Sequence, residues 1–258
     1  MIDKTPFHLL GKTILVTGAS AGIGAQCAIS IAEMGGKVVI TGRSEERLKD
    51  TFNKLEGEGH DSFTCDLTDD NKVKELAAYV PLLDGAVHCA GIVSPFPIKY
   101  INRKKVNETF DINFTSAVLL MSALLSGKKV KPQASIVFIS SFAGTYPYRG
   151  GAMYAASKAA LENYSVVLAS EYASIGLRAN CISPALIKTG ILEEAFGGDR
   201  AEYKKIVEAR HLLGFGETVD VANMVVFLLS PASRWLTGQN IILDGGYLLG
   251  LVSKITNE

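Results

Sequence analysis

The chain has 258 residues, with 26 Lys and Arg against 26 Asp and Glu, so its formal net charge is zero. Hydrophobic residues make up 48% and charged ones 20%, and the mean hydropathy is +0.21. Such a composition excludes intrinsic disorder, which needs a shortage of core-forming residues, and lacks the basic excess of a dedicated nucleic-acid or anionic-membrane binder.

No run approaches the ~18 uninterrupted apolar residues of a spanning helix, and Met1–Leu10 lacks the basic start and long apolar core of a signal peptide. Cys27, Cys65, Cys89 and Cys181 form no C-x-x-C pair, and His8, His60, His88 and His211 form no H-x-x-x-H cluster. No metal site is expected, and the cysteine usage suits a reducing, cytoplasmic setting.

In chain order, β-branched runs predict strands over Thr13–Thr17, Lys37–Thr41, Ser62–Cys65, Gly85–His88, Ser135–Ser140, Arg178–Ile182 and Asn240–Leu243. Helices are predicted over Gly22–Met34, Glu45–Leu55, Asp69–Tyr79, Asn102–Leu125, Met153–Ala173, Ile191–Leu212 and Val219–Leu229. The strand runs are nearly continuous in apolar residues, as expected of parallel strands covered on both faces. Strand–helix alternation with right-handed crossovers predicts an α/β fold, a doubly wound parallel sheet flanked by helices. No linker or repeat divides residues 1–258, so one domain is expected. The irregular glycine-containing stretch at about 186–216 is expected to act as a substrate lid.

The first strand runs into Gly18-Ala-Ser20-Ala21-Gly22-Ile23-Gly24 and then a helix. A glycine turn at this junction lets backbone approach a pyrophosphate, and the helix N-terminus supplies free N–H groups and the positive end of a dipole. No Lys-Ser/Thr follows, which argues against a nucleoside-triphosphate loop. After the second strand stand Gly42 and Arg43, where an acidic residue would hold the ribose 2′-OH of NAD; Arg accommodates a 2′-phosphate, so NADP(H) is preferred over NAD(H). Further on, Ser140-Ser141 follows a strand, and Tyr154-Ala-Ala-Ser-Lys158 places a tyrosine and a lysine on one helix face. A free tyrosine, with a pKa of about 10, is a poor acid at neutral pH, and a nearby ammonium favours its phenolate.

In their order, Thr17-Gly-Ala-Ser-Ala-Gly-Ile-Gly24, Asp66-Leu67, Ala90-Gly91, Asn113, Ser140-Ser141, Tyr154-Ala-Ala-Ser-Lys158, Asn180, Ser183-Pro184, and Thr237-Gly-Gln with Asp244-Gly-Gly246 resemble the short-chain dehydrogenase/reductase family over nearly the whole chain. The resemblance implies a Rossmann-type seven-stranded sheet and hydride transfer between a carbonyl and a secondary alcohol. It implies Tyr154 as general acid, Lys158 as the group that lowers its pKa and holds the nicotinamide ribose, and Ser141 as the group orienting the carbonyl oxygen. Asn113 would support a water-linked proton relay from Lys158. Gly18, Ser20, Ala21, Ile23 and Gly24 would form the dinucleotide turn, beside Ala90 and Gly91. Asp66 would reach the adenine amino group and Leu67 its ring, while Pro184, Ile187 and Thr189 would line the nicotinamide side.

Departures from the family pattern are Cys89 in place of an asparagine that steadies the sheet, Ala185 in place of glycine, and Ala21 where some NADP-dependent members carry a basic residue. The substrate stays open among acyl thioesters, sugars, polyols, steroids and simple ketones. A 3-oxoacyl-[acyl-carrier-protein] reductase would use a basic patch, for which Lys128-Lys129-Val-Lys131 is available, although Ser174 and Thr189-Gly190 depart from that subgroup. A catalytically silent NADP sensor is the alternative, disfavoured by the presence of all four catalytic positions. Aromatics in Ile92–Ile101 and Thr145–Gly151 are expected at the substrate mouth. A homotetramer, or failing that a dimer, is expected through the helices at Asn102–Leu125 and Met153–Ala173.

Overall fold

The structure, a computed structural model, describes residues 6–190 and 201–252. Seven parallel strands lie in the order β3-β2-β1-β4-β5-β6-β7: β1 Thr13–Thr17, β2 Lys37–Gly42, β3 Asp61–Thr64, β4 Leu83–His88, β5 Val130–Ile139, β6 Arg178–Pro184 and β7 Asn240–Leu243. Thr17 pairs with Thr41 and His88, which sets the C-terminal ends of β2, β1 and β4 side by side. The order reverses between β1 and β4, the switch point at which open α/β sheets bind ligands.

The side chains explain why helices cover both faces. Leu15, Ile136 and Phe138 belong to one core cluster; Ile14, Val16, Val137 and Ile139 belong to the other. Successive strand residues point to opposite faces, so both faces must be buried. On the first face lie α3 (Asp70–Tyr79), α5 (Ser116–Ser126) and α6 (Ala152–Glu171), through Leu76, Met121 and Leu161. On the second lie α1 (Gly22–Glu33), α2 (Glu45–Phe52) and α8 (Thr218–Leu229), through Ile31, Leu48 and Val225. Two shorter helices, α7 (Ala201–Glu208) and α9 (Tyr247–Val252), lie near the C-terminal ends of the strands.

Three elements differ from the sequence expectation. The helix expected over Asn102–Leu125 is a run Arg103–Ser126 interrupted by a π-helical turn, Asp111–Thr115, between α4 (Arg103–Phe110) and α5. By length and composition this run could cross a bilayer; here Leu120, Met121 and Leu124 are fully buried against the sheet, the normal use of an apolar helix in an α/β layer. Strand β5 begins at Val130 rather than Ser135, because Leu83 pairs with Val130 across an irregularity in register and Gln133 takes a left-handed φ of 64°. The helix expected over Ile191–Leu212 is described only as α7 and the turn after it; residues 191–200 of the expected lid lie outside the described residues.

Candidate active site

At the phosphate end, glycine is required by close approach. A Cβ on Gly18 would lie 2.8 Å from the backbone nitrogen of Ala90, and a Cβ on Gly24 would collide with the carbonyl oxygen of Gly18. The N-termini of α2, α3 and α4 are capped by the side chains of Ser44, Asp69 and Asn102. Helix α1 starts after Ala21, with no side-chain cap and no acidic residue in its first turn. Its leading N–H groups are therefore left for a ligand, and the dipole favours an anionic one.

This turn forms one wall of a cleft of about 410 Å³ lined by Gly18, Ser20, Ala21, Ile23 and Gly24, with Arg43, Asp66, Leu67, Ala90, Gly91 and Thr189 around it. Eleven of the positions assigned to the cofactor thus share one cavity. Thr189 reaches across it: a Cβ on Gly22 would be 3.6 Å from Thr189 Cγ2. Tyr154, Lys158, Pro184 and Ile187, also assigned to the cofactor, do not line this cleft; Ile187 packs against the core and bridges to Gly216. Arg47 and Thr68, not singled out from the sequence, do line it. Arg47 follows Arg43 by one helical turn, a spacing that would have revealed it.

Arg43 is exposed and, among the described residues, makes no ion pair, so it is a free cation at the adenosine end. Asp66 accepts hydrogen bonds from Thr68 N at 3.0 Å and Thr68 Oγ1 at 2.8 Å. These bonds, assisted by the Arg43 charge, hold its carboxyl below the usual carboxylate range. The asparagine missing at Cys89 leaves no gap in sheet pairing: Thr17 Oγ1 accepts from Cys89 N at 3.1 Å and Ala90 N at 3.3 Å, tying β1 to the end of β4.

The cleft floor leads into a buried polar cluster. Lys158, only 4% exposed, donates from Nζ to the Ile139 carbonyl at 2.8 Å, and a Cβ on Gly91 would lie 3.3 Å from that same Nζ. Burial pulls the Lys158 ammonium down to about 8, although Cys89, Cys181 and Glu162 act to raise it. Tyr154 lies one turn earlier on α6, its ring centroid 5.9 Å from Nζ, and the Ser141 hydroxyl sits beside its phenol. Burial pushes Tyr154 up to about 12 against the downward pull of Ser141, and Tyr148 adds to the rise. The expected lowering of Tyr154 by Lys158 is thus not what dominates: desolvation wins at this site.

Asn113 sits in the π turn and is buried. Its amide Nδ2 donates to the Ile92 carbonyl at 3.0 Å and to Ser157 Oγ at 3.1 Å, while Oδ1 accepts from Ile92 N at 2.7 Å. Both amide protons are committed, so the side chain clamps the loop at Ile92 onto α6. At the mouth, Phe96 N donates to the Gly150 carbonyl at 2.8 Å, joining the two loops expected there. Phe142, next to Ser141, stacks on Tyr146 and meets Tyr247 edge-on, and Tyr247 meets His211.

The lysine run lies elsewhere. Lys129 Nζ donates to the carbonyls of Ala78 and Val80, and Lys131 pairs with Asp84 at 2.8 Å. All of this is at the N-terminal end of β5, about 30 Å of strand away from Ser141 at ~3.3 Å per residue. It cannot form a carrier-docking patch at the mouth.

Comparison with known proteins agrees with this geometry. Residues 18–248 match a family described as enoyl-(acyl carrier protein) reductase. A 3-oxoacyl-[acyl-carrier-protein] reductase of Rickettsia felis is 33% identical over 252 residues, covering 96% of this chain and all of the relative. This chain belongs to the short-chain dehydrogenase/reductase family. A tropinone reductase homolog of Arabidopsis thaliana is 31% identical, covering 95% of this chain and 93% of the relative. Among solved structures, an NAD(P)-dependent gluconate 5-dehydrogenase homologue from Beutenbergia cavernae, with bound NADP at low occupancy, superposes with a TM-score of 0.84. It is 29% identical and covers 95% of this chain and 100% of that one. A short-chain type dehydrogenase/reductase from Mycobacterium ulcerans gives a TM-score of 0.83 at 29% identity, covering 94% and 91%. As a member of this family the protein is an oxidoreductase that acts on the alcohol–carbonyl pair with NAD(P).

Proposed function

We propose that this short-chain dehydrogenase/reductase uses NADP(H) to interconvert a small ketone and a secondary alcohol, with Tyr154 as the proton donor and acceptor. The observation that carries the reading is that Lys158, which lies beside Tyr154 with Ser141 next to its phenol, abuts Gly91 and Ile139 in the wall of the cleft built by the glycine turn. The cleft fits a dinucleotide because an uncapped helix start, a glycine cradle and unpaired cations share one cavity. Reduced nicotinamide, when bound, supplies the hydride that adds to the carbonyl carbon.

The chain supplies the rest. With its phenol held up to about 12, Tyr154 is protonated at neutral pH and can give its proton to the carbonyl oxygen as negative charge develops there. Ser141 donates a hydrogen bond to the same oxygen, stabilising charge that is larger in the transition state than in the ground state. Lys158 brings a positive charge beneath the cleft at Gly91, where it favours transient phenolate on Tyr154 and can hold ribose hydroxyls. Ser20, Arg43 and Arg47 surround the adenosine end, and the two guanidinium groups favour a 2′-phosphate.

The substrate binds between the Phe142–Tyr146–Tyr247 rings and the 92–101 loop. A ketone of moderate size with apolar substituents suits those rings better than a carrier-bound thioester, given the remote position of Lys129 and Lys131. The four cysteines are free, which suits a reducing compartment such as the cytoplasm. Assembly as a homotetramer is supported by the exposed Leu119, Val166 and Val167 on α5 and α6. A monomeric mass in light scattering at micromolar concentration would rule that assembly out.

The function is tested by following NADPH oxidation with simple, cyclic, sugar-derived and acyl-thioester ketones. Turnover of an uncharged ketone with NADPH supports the reading; a protein that binds NADPH tightly and reduces no ketone would favour the sensor instead.

A further inference from the structure

Tyr154, Lys158 and Glu162 succeed one another at four-residue intervals on α6, so they share one helix face. Sequence reading used the first two and ignored the third. Glu162 Oε1 accepts hydrogen bonds from Ser140 Oγ at 2.7 Å and from Ser183 Oγ at 3.0 Å. Ser140 Oγ also lies 3.1 Å from the main-chain carbonyl of Lys158, and Ser183 Oγ lies 2.7 Å from the amide group of Asn240 at the start of β7. Both serines are buried. The single Ser140 hydroxyl proton goes to the nearer Glu162 oxygen, leaving the Lys158 carbonyl as a secondary contact, and Ser183 is free to give its own proton to Glu162 when the Asn240 amide presents its nitrogen to Ser183 Oγ. One carboxylate oxygen therefore joins α6 to the ends of β5 and β6 and, through Ser183, to β7.

Gly144 makes room for it: a Cβ there would lie 2.5 Å from Glu162 Oε1 and 3.2 Å from Ala159 N. The three residues ending β5 then address α6 in sequence. The Ile139 carbonyl takes Lys158 Nζ, Ser140 takes Glu162, and Ser141 meets Tyr154.

We propose that Glu162 is a positioning residue of the reaction: its carboxylate sets the register of the Ser140–Ser141 turn against α6 and faces the Lys158 ammonium. The proposal rests on the oxidoreductase reading of Tyr154 and Lys158. Glu162 touches neither substrate nor cofactor; it acts through Ser140 and Lys158. The groups facing Lys158 are Cys89 at the end of β4, Cys181 on β6 and Glu162 on its own helix, while Tyr148 and Ser141 face Tyr154. Glu162 is the one carboxylate in this set.

The test compares Glu162→Gln and Glu162→Ala with wild type. Glutamine keeps an acceptor oxygen for the two serines but removes the charge; alanine removes both. An NMR titration of the Lys158 side-chain carbon next to Nζ, assigned by its disappearance in Lys158→Met, reads the charge without any turnover. Loss of a nearby anion makes the ammonium easier to deprotonate, so the midpoint in Glu162→Gln falls by about half a unit. The alkaline limb of ketone reduction moves the same way. In Glu162→Ala kcat falls by about tenfold, against about threefold in Glu162→Gln, with KM for NADPH within about twofold of wild type in both. An unmoved Lys158 midpoint in Glu162→Gln, or wild-type kcat in Glu162→Ala, overturns the proposal. If wild type reduces no ketone, the oxidoreductase reading fails, while the NMR midpoint still decides whether Glu162 acts on Lys158.

Discussion

The two ends of the cleft are built on opposite plans. At the phosphate end the chain withholds side chains: Gly18 and Gly24 have no room for a Cβ, α1 has no cap, and Arg43 has no partner among the described residues. At the chemical end the supporting polar side chains are already engaged, from Asn113 on Ile92 and Ser157 to Ser140 and Ser183 on Glu162. The difference follows from what each end must do. A large anionic ligand brings its own acceptors and needs open donors. A proton transfer needs one side chain held at a defined place, and holding it requires its neighbours to be locked by packing and hydrogen bonds.

Substitutions that break this contrast have effects that differ in kind as well as in size. The largest is expected at the buried end: Lys158→Met removes the ammonium beside Tyr154, and kcat/KM for ketone reduction falls by at least about 100-fold in steady-state assays. At the open end, Arg43→Ala weakens NADPH by about tenfold in fluorescence titration and leaves NADH within about twofold, since one charge-assisted hydrogen bond is lost to only one of the two ligands. Arg47→Ala produces a smaller change of the same sign.

The pH dependence sharpens the comparison further. Lys158 is an ammonium below about 8 and an amine above it, because burial lowers its pKa. Ketone reduction should therefore hold level below that pH and fall as pH rises through it, while NADPH affinity, for which Arg43 is the proposed anchor, should change far less over the same range. A pH–rate profile of kcat/KM beside a binding profile checks both halves. The smallest effect is at the far end of β5: Lys131→Ala breaks the half-buried pair with Asp84 and should change stability by about 1 kcal/mol or less and activity by less than about twofold.

What the sequence disclosed divides along the same line. The glycine turn, Arg43 and the Tyr154–Lys158 pair are legible because local backbone needs and helical spacing leave a mark in the residue order. Glu162 stands at a visible interval, but nothing local marks its use, since its serines come from the ends of β5 and β6, 22 and 21 residues away along the chain. Strand β5 was read five residues short because Lys131, Pro132 and Gln133 have poor strand propensity, and long-range pairing of Val130 with Leu83 overrode it. The Lys128–Lys131 run was available to a carrier-binding patch on charge alone, and its place at the start of β5, with Lys131 on Asp84, takes it away from the substrate. Tyr154 shows the third kind of miss. Spacing puts a lysine beside it, but burial, which no spacing reveals, pushes its phenol up.

The most direct measurement of the central claim is single-turnover hydride transfer from NADPH to a ketone substrate by wild type and Tyr154→Phe, with NADPH affinity measured on the same samples. The account predicts a rate lower by about 100-fold or more in Tyr154→Phe, with affinity unchanged within about twofold, because the phenol acts in the chemistry and not in the phosphate cradle. A Tyr154→Phe protein that transfers hydride at the wild-type rate would contradict it.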